Sequence, residues 1–219
     1  MSGSVIIKNK IKSFNKSISV PGDKSISIRW LILASQAIGK SRAYNLLESD
    51  DIRNTISSIR SLGVKIKKSK GHCEINGVGL NGFNDNKNIT INAGNSGTFA
   101  RLFCGLIAKS ENKFKLIGDK SLSKRDFSRV IKPLNKFGIK FLSNNNKLPL
   151  IIEGTSFLRP ITFEEDKGSA QVKSAIMITS LNTPGETVIK CIPSRNHTEL
   201  MFKHCLKIPI KINKRGKYE

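Results

Sequence analysis

The chain has 219 residues, 38% hydrophobic and 25% charged, which suits one or two domains with a real core. No apolar run reaches the roughly 18 residues needed to cross a bilayer, and the N-terminal MSGSVIIKNKIKSF lacks the long apolar stretch of a secretory signal. The formal charge is +22, but the basic residues are spread along the chain and only two tyrosines and one tryptophan can stack on bases, which favours a solvated lysine coat over a nucleic-acid arm and leaves room for a small anionic substrate.

The elements repeat in chain order. PGDKSISIR (21–29) superficially suggests a P-loop, yet no glycine stands five residues before Gly22. Gly22-Asp-Lys-Ser leads instead into an apolar helical stretch, ISIRWLILASQAI, and then a strand-like SRAYNLL. Ser49-Asp-Asp starts a second helix, because Ser and Asp accept bonds from the free amides of a first turn. Glu48, Asp50 and Asp51 are read as helix-start residues, not as an acid–base pair. Ile52, Ile56, Ile59 and Leu62 mark the buried face of that helix, and strands GVKI (63–66) and CEING follow.

The second copy opens at Gly94-Asn-Ser-Gly, with Phe99, Leu102, Phe103 and Leu106 on one helical face. It continues through strand KFKLIG, a helix start at Ser123-Lys-Arg-Asp, and a face of Phe127, Val130, Ile131, Leu134 and Phe137. Strands GIKF (138–141) and LPLIIEG flank the polar turn SNNNK. The third copy opens at Gly168-Ser-Ala-Gln, carries Val172, Ala175, Ile176 and Thr179 at helical spacing, then strand ETVIKCI and a helix start at Ser194-Arg-Asn-His-Thr. A strand PIKI (209–212) precedes NKRGKYE, which reads as a turn and the first residues of a returning strand, so the chain is expected to be cut within a hairpin.

The pattern predicts an α+β domain over 21–219, made of three β-α-β-α-β-β units at about 21–85, 86–157 and 158–219, the last cut short. Three such units about a pseudo-threefold axis bury one helix each and bring the glycine turns to one end. That end would gather Lys24, Ser25, Arg29, Asn95, Gly97, Arg101, Ser169 and Gln171, residue types that bind phosphate and carboxylate at helix N-termini. Arg101 alone among them is read as structural. The scattered cysteines form no Cys-x-x-Cys, which points to a reduced, cytoplasmic setting. His72-Cys73 and His204-Cys205 lack zinc-site spacing, so no metal is expected.

Six segments in order, PGDKSISIR, NLLESDDIR, NAGNSGTFARL, GDKSLSKR, GSAQVKSAI and SRNHTE, cover nearly the whole chain. They resemble the 5-enolpyruvylshikimate-3-phosphate synthase family. The resemblance implies one domain of a two-domain enolpyruvyl transferase, with residues 1–20 a strand segment of the other domain. It implies transfer of the enolpyruvyl group of phosphoenolpyruvate to shikimate 3-phosphate, in the shikimate pathway to chorismate and the aromatic amino acids, with no cofactor, no membrane or nucleic-acid partner, and a monomeric full-length enzyme. It assigns Lys24, Ser25, Arg29, Ser169, Ala170, Gln171, Ser194 and Arg195 to shikimate 3-phosphate, and Lys24, Gly97, Arg125 and Gln171 to phosphoenolpyruvate. The acid–base carboxylates would lie in the absent half, leaving Lys24 the best catalytic candidate here and this chain inactive alone. Ala170 and Asn196 stand where many members have serine and where the nearest branch has aspartate. The rival readings are a UDP-N-acetylglucosamine enolpyruvyl transferase, disfavoured by Lys24-Ser25 and by the apolar setting of Cys104, and an RNA-binding or RNA-terminal-phosphate cyclase-like module.

Overall fold

In the computed structural model, which describes all residues except 1–3, 5, 7, 11, 12, 85–87, 215, 217 and 219, the three units recur as three small sheets. The first unit comprises α1 (Lys24–Ser35), β1 (Ile38–Tyr44), α2 (Asp50–Ser61), β2 (Lys65–Ser69) and β3 (His72–Val78). The second comprises β4 (Ile89–Asn92), α3 (Gly97–Leu106), β5 (Lys113–Ile117), α4 (Lys120–Ser123), α5 (Ser128–Phe137), β6 (Lys140–Leu142) and β7 (Leu150–Glu153). The third comprises β8 (Thr162–Glu165), α6 (Ala170–Ser180), β9 (Val188–Cys191) and α7 (His197–Leu200), which runs into a π-helical turn at Met201–Cys205.

The middle unit has the fullest sheet, ordered β4-β5-β7-β6, with β4 parallel to β5 and the other pairs antiparallel. The first unit forms β1-β3-β2, so β1, β3 and β2 match β5, β7 and β6. Among the described residues the third forms only the parallel pair β8-β9, matching β4 and β5. Each parallel pair needs a crossover, and α3 and α6 supply it.

Buried faces explain the helices. α3 is buried along nearly its whole length and packs against α1, α5 and α6, so it is the centre of the domain. Phe103 is fully buried between Phe99, at 5.7 Å between ring centroids, and Phe114 of β5, edge-on at 5.9 Å. α2 and α5 are amphipathic: Ile52, Ile56 and Ile59 of α2, and Val130, Ile131, Leu134 and Phe137 of α5, face inward. Side-chain oxygens cap the starts: Asp23 accepts from the Ile26 amide (2.8 Å), Ser96 from Phe99 (3.2 Å), Asp119 from Leu122 (2.7 Å) and Ser169 from Val172 (3.4 Å). Each such cap contributes about 1 kcal/mol. Gly94 and Gly168, which open two of the turns, have φ of 55° and 63°, a left-handed conformation that favours glycine.

Several sequence expectations are corrected. PIKI at 209–212 is not a strand: in the other units the matching strands β2 and β6 pair only with the returning strands β3 and β7, and the third unit has no such strand among the described residues. The first connecting strand covers Ile38–Tyr44, ending before Asn45, whose φ of 53° breaks the extended run predicted over SRAYNLL. The helix expected from Ser123 is two helices: α4, capped by Asp119, and α5, which starts only at Ser128. The third unit's outer helix is reduced to α7 and the π-helical turn.

A groove of about 1410 Å³ lies along the incomplete third sheet, lined by β9, residues 206–213 and the C-terminal end of α1. None of Gly97, Arg101, Arg125 and Gln171 lines it.

Candidate substrate-binding site

The first turn of α3 is crowded with cations. A Cβ at Gly97 would stand 2.9 Å from Nη1 of Arg101 and 2.9 Å from Nη1 of Arg125, so only a glycine leaves this space to something else. Among the described residues neither arginine makes a salt bridge with a carboxylate. Arg101 is half-buried, and burial, with the neighbouring charge of Arg125 adding to it, holds its guanidinium below the ordinary value. Arginine stays charged regardless. Two guanidiniums with no direct carboxylate contact among the described residues thus converge on the Cβ position of Gly97, an arrangement of the kind that planar guanidiniums offer to anions.

Polar side chains frame that arrangement. Arg125 donates to Asn95 Oδ1 at 3.3 Å, and Asn95 in turn donates to Asp119 at 2.5 Å. Gln171, in the first turn of α6, accepts from Arg101 Nη1 at 3.1 Å and donates to Thr98 Oγ1 at 3.0 Å. The backbone bond to Leu122, then that from Asn95, holds the Asp119 carboxyl below its ordinary value. Asp126 is held down likewise, by Ser128. These carboxylates are fixed as anions by structural bonds.

The remaining expected residues sit around the start of α6 and the segment before α7. Ser169 caps α6, and its amide donates to Glu165 Oε2 at 2.6 Å; Ala170 is the first residue of that helix. Arg29 is only 3% exposed and turned inward: it donates to Thr198 Oγ1 (2.8 Å), Ser174 Oγ (3.0 Å) and the Ser25 carbonyl (3.0 Å). It ties α1 to α6 and α7. Burial lowers its pKa first, Glu199 opposes this and Arg195 adds to it, which places Arg195 in its electrostatic neighbourhood. Arg195 itself is exposed, while the Ser194 hydroxyl and His197 Nδ1 are buried with no partner. Lys24 is half-exposed and reaches Asp51 Oδ2 at 3.0 Å, at the start of α2. Gly97, Asn95, Arg101, Arg125 and Gln171 are thus linked directly by contact, Ser25 and Arg29 are joined to α6, and Lys24 is held by the first unit's own carboxylate.

The family description of EPSP synthase (3-phosphoshikimate 1-carboxyvinyltransferase) matches residues 8–218. The chain belongs to the EPSP synthase family. It is 44% identical over 188 residues to the 3-phosphoshikimate 1-carboxyvinyltransferase of Leuconostoc citreum (strain KM20), covering 85% of this chain and 43% of that protein. It is 43% identical over 205 residues to that of Ruthia magnifica, covering 92% and 47%. The solved EPSP synthase of Acinetobacter baumannii superposes with a TM-score of 0.82 at 33% identity, over 92% of this chain and 45% of that one. The chain therefore spans about half the length of the EPSP synthases it matches, and its fold is one domain of the enolpyruvyl transferase architecture.

Within this EPSP synthase domain, Arg101, read from the sequence as structural, joins α3 to Gln171 and Asp126 and also faces the space at Gly97. Its position four residues after Gly97 puts it on the same side of the first helical turn, a signal present in the sequence. Its contacts with Gln171 and Asp126 are not local and carry no such signal. Cys104 is fully buried and bonded to the Ala100 carbonyl; burial pushes its thiol up to about 12, so it is unsuited to act as a nucleophile.

Proposed function

We propose that this chain supplies the half-site that holds shikimate 3-phosphate and phosphoenolpyruvate for enolpyruvyl transfer. The observation that carries this reading is the pair of carboxylate-free guanidiniums, Arg101 and Arg125, flanking the empty Cβ position of Gly97. Phosphoenolpyruvate approaches the Gly97 backbone between them, and Gln171 meets it from α6. Lys24, released from Asp51, contacts both substrates. Ser169, Gln171, the Ala170 backbone, Ser194, Arg195 and Ser25 hold shikimate 3-phosphate, and Arg29 stiffens that wall from behind. Segment 194–197 suits a phosphate ester, because Arg195 is exposed and among the described residues forms no ion pair, and the buried Ser194 hydroxyl has no partner there.

The reaction is an addition–elimination. The 5-hydroxyl of shikimate 3-phosphate forms a C–O bond to C2 of phosphoenolpyruvate as C3 takes a proton. The tetrahedral adduct then loses a C3 proton as the C2–O bond to phosphate breaks. These steps need an acid at the vinyl carbon and a base at the hydroxyl. Asp119 is engaged by Asn95 and Asp126 by Ser128, so in this reading they orient the half-site, and the proton carriers come from the second half of the enzyme. Residues 1–20, whose described apolar side chains Ile6, Phe14, Ile18 and Val20 are exposed, belong to that second domain in this reading.

Calorimetric titration tests the reading. The purified chain takes up shikimate 3-phosphate, Ser169→Ala and Arg195→Ala each weaken it, and no phosphate is released from the mixed substrates. Equal binding by wild type and both variants, or steady-state phosphate release, overturns the assignment.

A further inference from the structure

One planar group joins three separate stretches of the site. Arg101 Nη1 donates to the Gly97 carbonyl at 3.2 Å and to Gln171 Oε1 at 3.1 Å, and Nη2 donates to the Asp126 carbonyl at 3.2 Å. Its guanidinium carbon lies 4.9 Å from the centre of the Phe127 ring. The first turn of α3, the first turn of α6 and the loop before α5 are thereby tied together.

The tie has a chemical consequence for Gln171. A carboxamide has two ends of nearly the same shape, and only its neighbours choose between its orientations. Here Oε1 faces a guanidinium, which can only donate, while Nε2 donates to the Thr98 hydroxyl at 3.0 Å. A flip would set the Gln171 amino group against the guanidinium, donor against donor. A lysine at 101 would keep the charge but lose the planar fork that reaches three acceptors at once.

We infer that Arg101, besides lining the anion seat, is a positioning residue: it fixes which end of the Gln171 carboxamide the substrate meets. The inference rests on the reading that Gln171 and Gly97 contact phosphoenolpyruvate. An arginine that merely gripped the carbonyl four residues back on its own helix would leave Gln171 unaffected.

The test is a double-mutant cycle with a spectroscopic arm on the full chain. In the ligand-free protein, the ¹⁵N–¹H side-chain amide pair of Gln171, assigned by its loss in Gln171→Ala, shifts or broadens in Arg101→Lys. For phosphoenolpyruvate, Arg101→Lys and Gln171→Ala each weaken binding about tenfold, and the double variant loses far less than the roughly hundredfold expected of independent residues. An unmoved Gln171 amide pair, or a fully multiplicative loss, overturns the inference. If the wild type takes up no phosphoenolpyruvate, the half-site reading fails instead, and the amide pair alone decides the role of Arg101. Arg101→Met gives an independent check should Arg101→Lys not fold: it also removes the donor that faces Gln171 Oε1, and an unmoved Gln171 amide pair overturns the inference.

Discussion

Lys173 of α6 and Glu199 of α7 form an ion pair with their side chains 5% and 6% exposed, and Glu199 Oε2 has no further partner. Such a pair attracts strongly only because both charges have left water, and removing one strands the other. Glu199→Ala is expected to cost about 3–5 kcal/mol, whereas the double replacement Lys173→Met/Glu199→Leu costs far less or stabilises. Urea unfolding of the three proteins measures this. A double variant as damaged as the single one would show that the pair itself, and not the stranded lysine, holds α7 in place.

Gly97→Ala separates folding from binding. Alanine is the better helix former by about 1 kcal/mol, and the atoms its Cβ meets are the far ends of two arginines, which can move. Stability is expected to stay within about 1 kcal/mol of wild type while phosphoenolpyruvate affinity falls about tenfold, a change of ~1.4 kcal/mol. Loss of stability together with unchanged affinity would contradict the placement of the anion between Arg101 and Arg125.

The cysteines give a chemical ruler of burial. Cys104, with its thiol pushed up to about 12, and the buried Cys73, raised chiefly by desolvation, are expected to resist iodoacetamide at pH 8 in the folded chain. Cys205 is exposed and should alkylate first. Mass spectrometry of peptides after a timed reaction reads the order, and early modification of Cys104 would mean that α3 is not enclosed.

Asp119 should make the α4 turn sensitive to acid. Its folded pKa lies below the ordinary 3.8 because the Leu122 amide and Asn95 bond to the charged form. A depressed carboxyl contributes its stability above the unfolded value and loses it as pH falls through the folded one. The Tm gap between wild type and Asp119→Ala is therefore full at pH 7 and narrows only below about pH 3.8. A gap that widens on acidification would refute the sign.

Much of this domain was legible because its information is local. The faces Ile52/Ile56/Ile59 and Val130/Ile131/Leu134 follow from helical period alone, and the repeated glycine turns placed α1, α3 and α6 correctly. α4 was missed although Gly118-Asp-Lys-Ser repeats the tetrapeptide that starts α1, with Asp23 and Asp119 capping alike. PIKI misled because a strand exists only with a neighbour, and four residues of sequence do not say whether one is present. The inward turn of Arg29 and the grip of Arg101 on Gln171 depend on residues 145 and 70 positions away, beyond the reach of any pattern along the chain.

The unequal completeness of the three sheets sets a gradient of opening free energies. β5 is flanked on both sides, by β4 and β7, whereas among the described residues β9 is flanked by β8 alone. Amide hydrogens of Phe114 and Leu116 should exchange with deuterium only through near-global unfolding, while those of Ile189 and Cys191 exchange through local opening of one edge. The middle unit then acts as the foldon on which the third one docks, and a protease would find the 206–213 segment long before it reached α3.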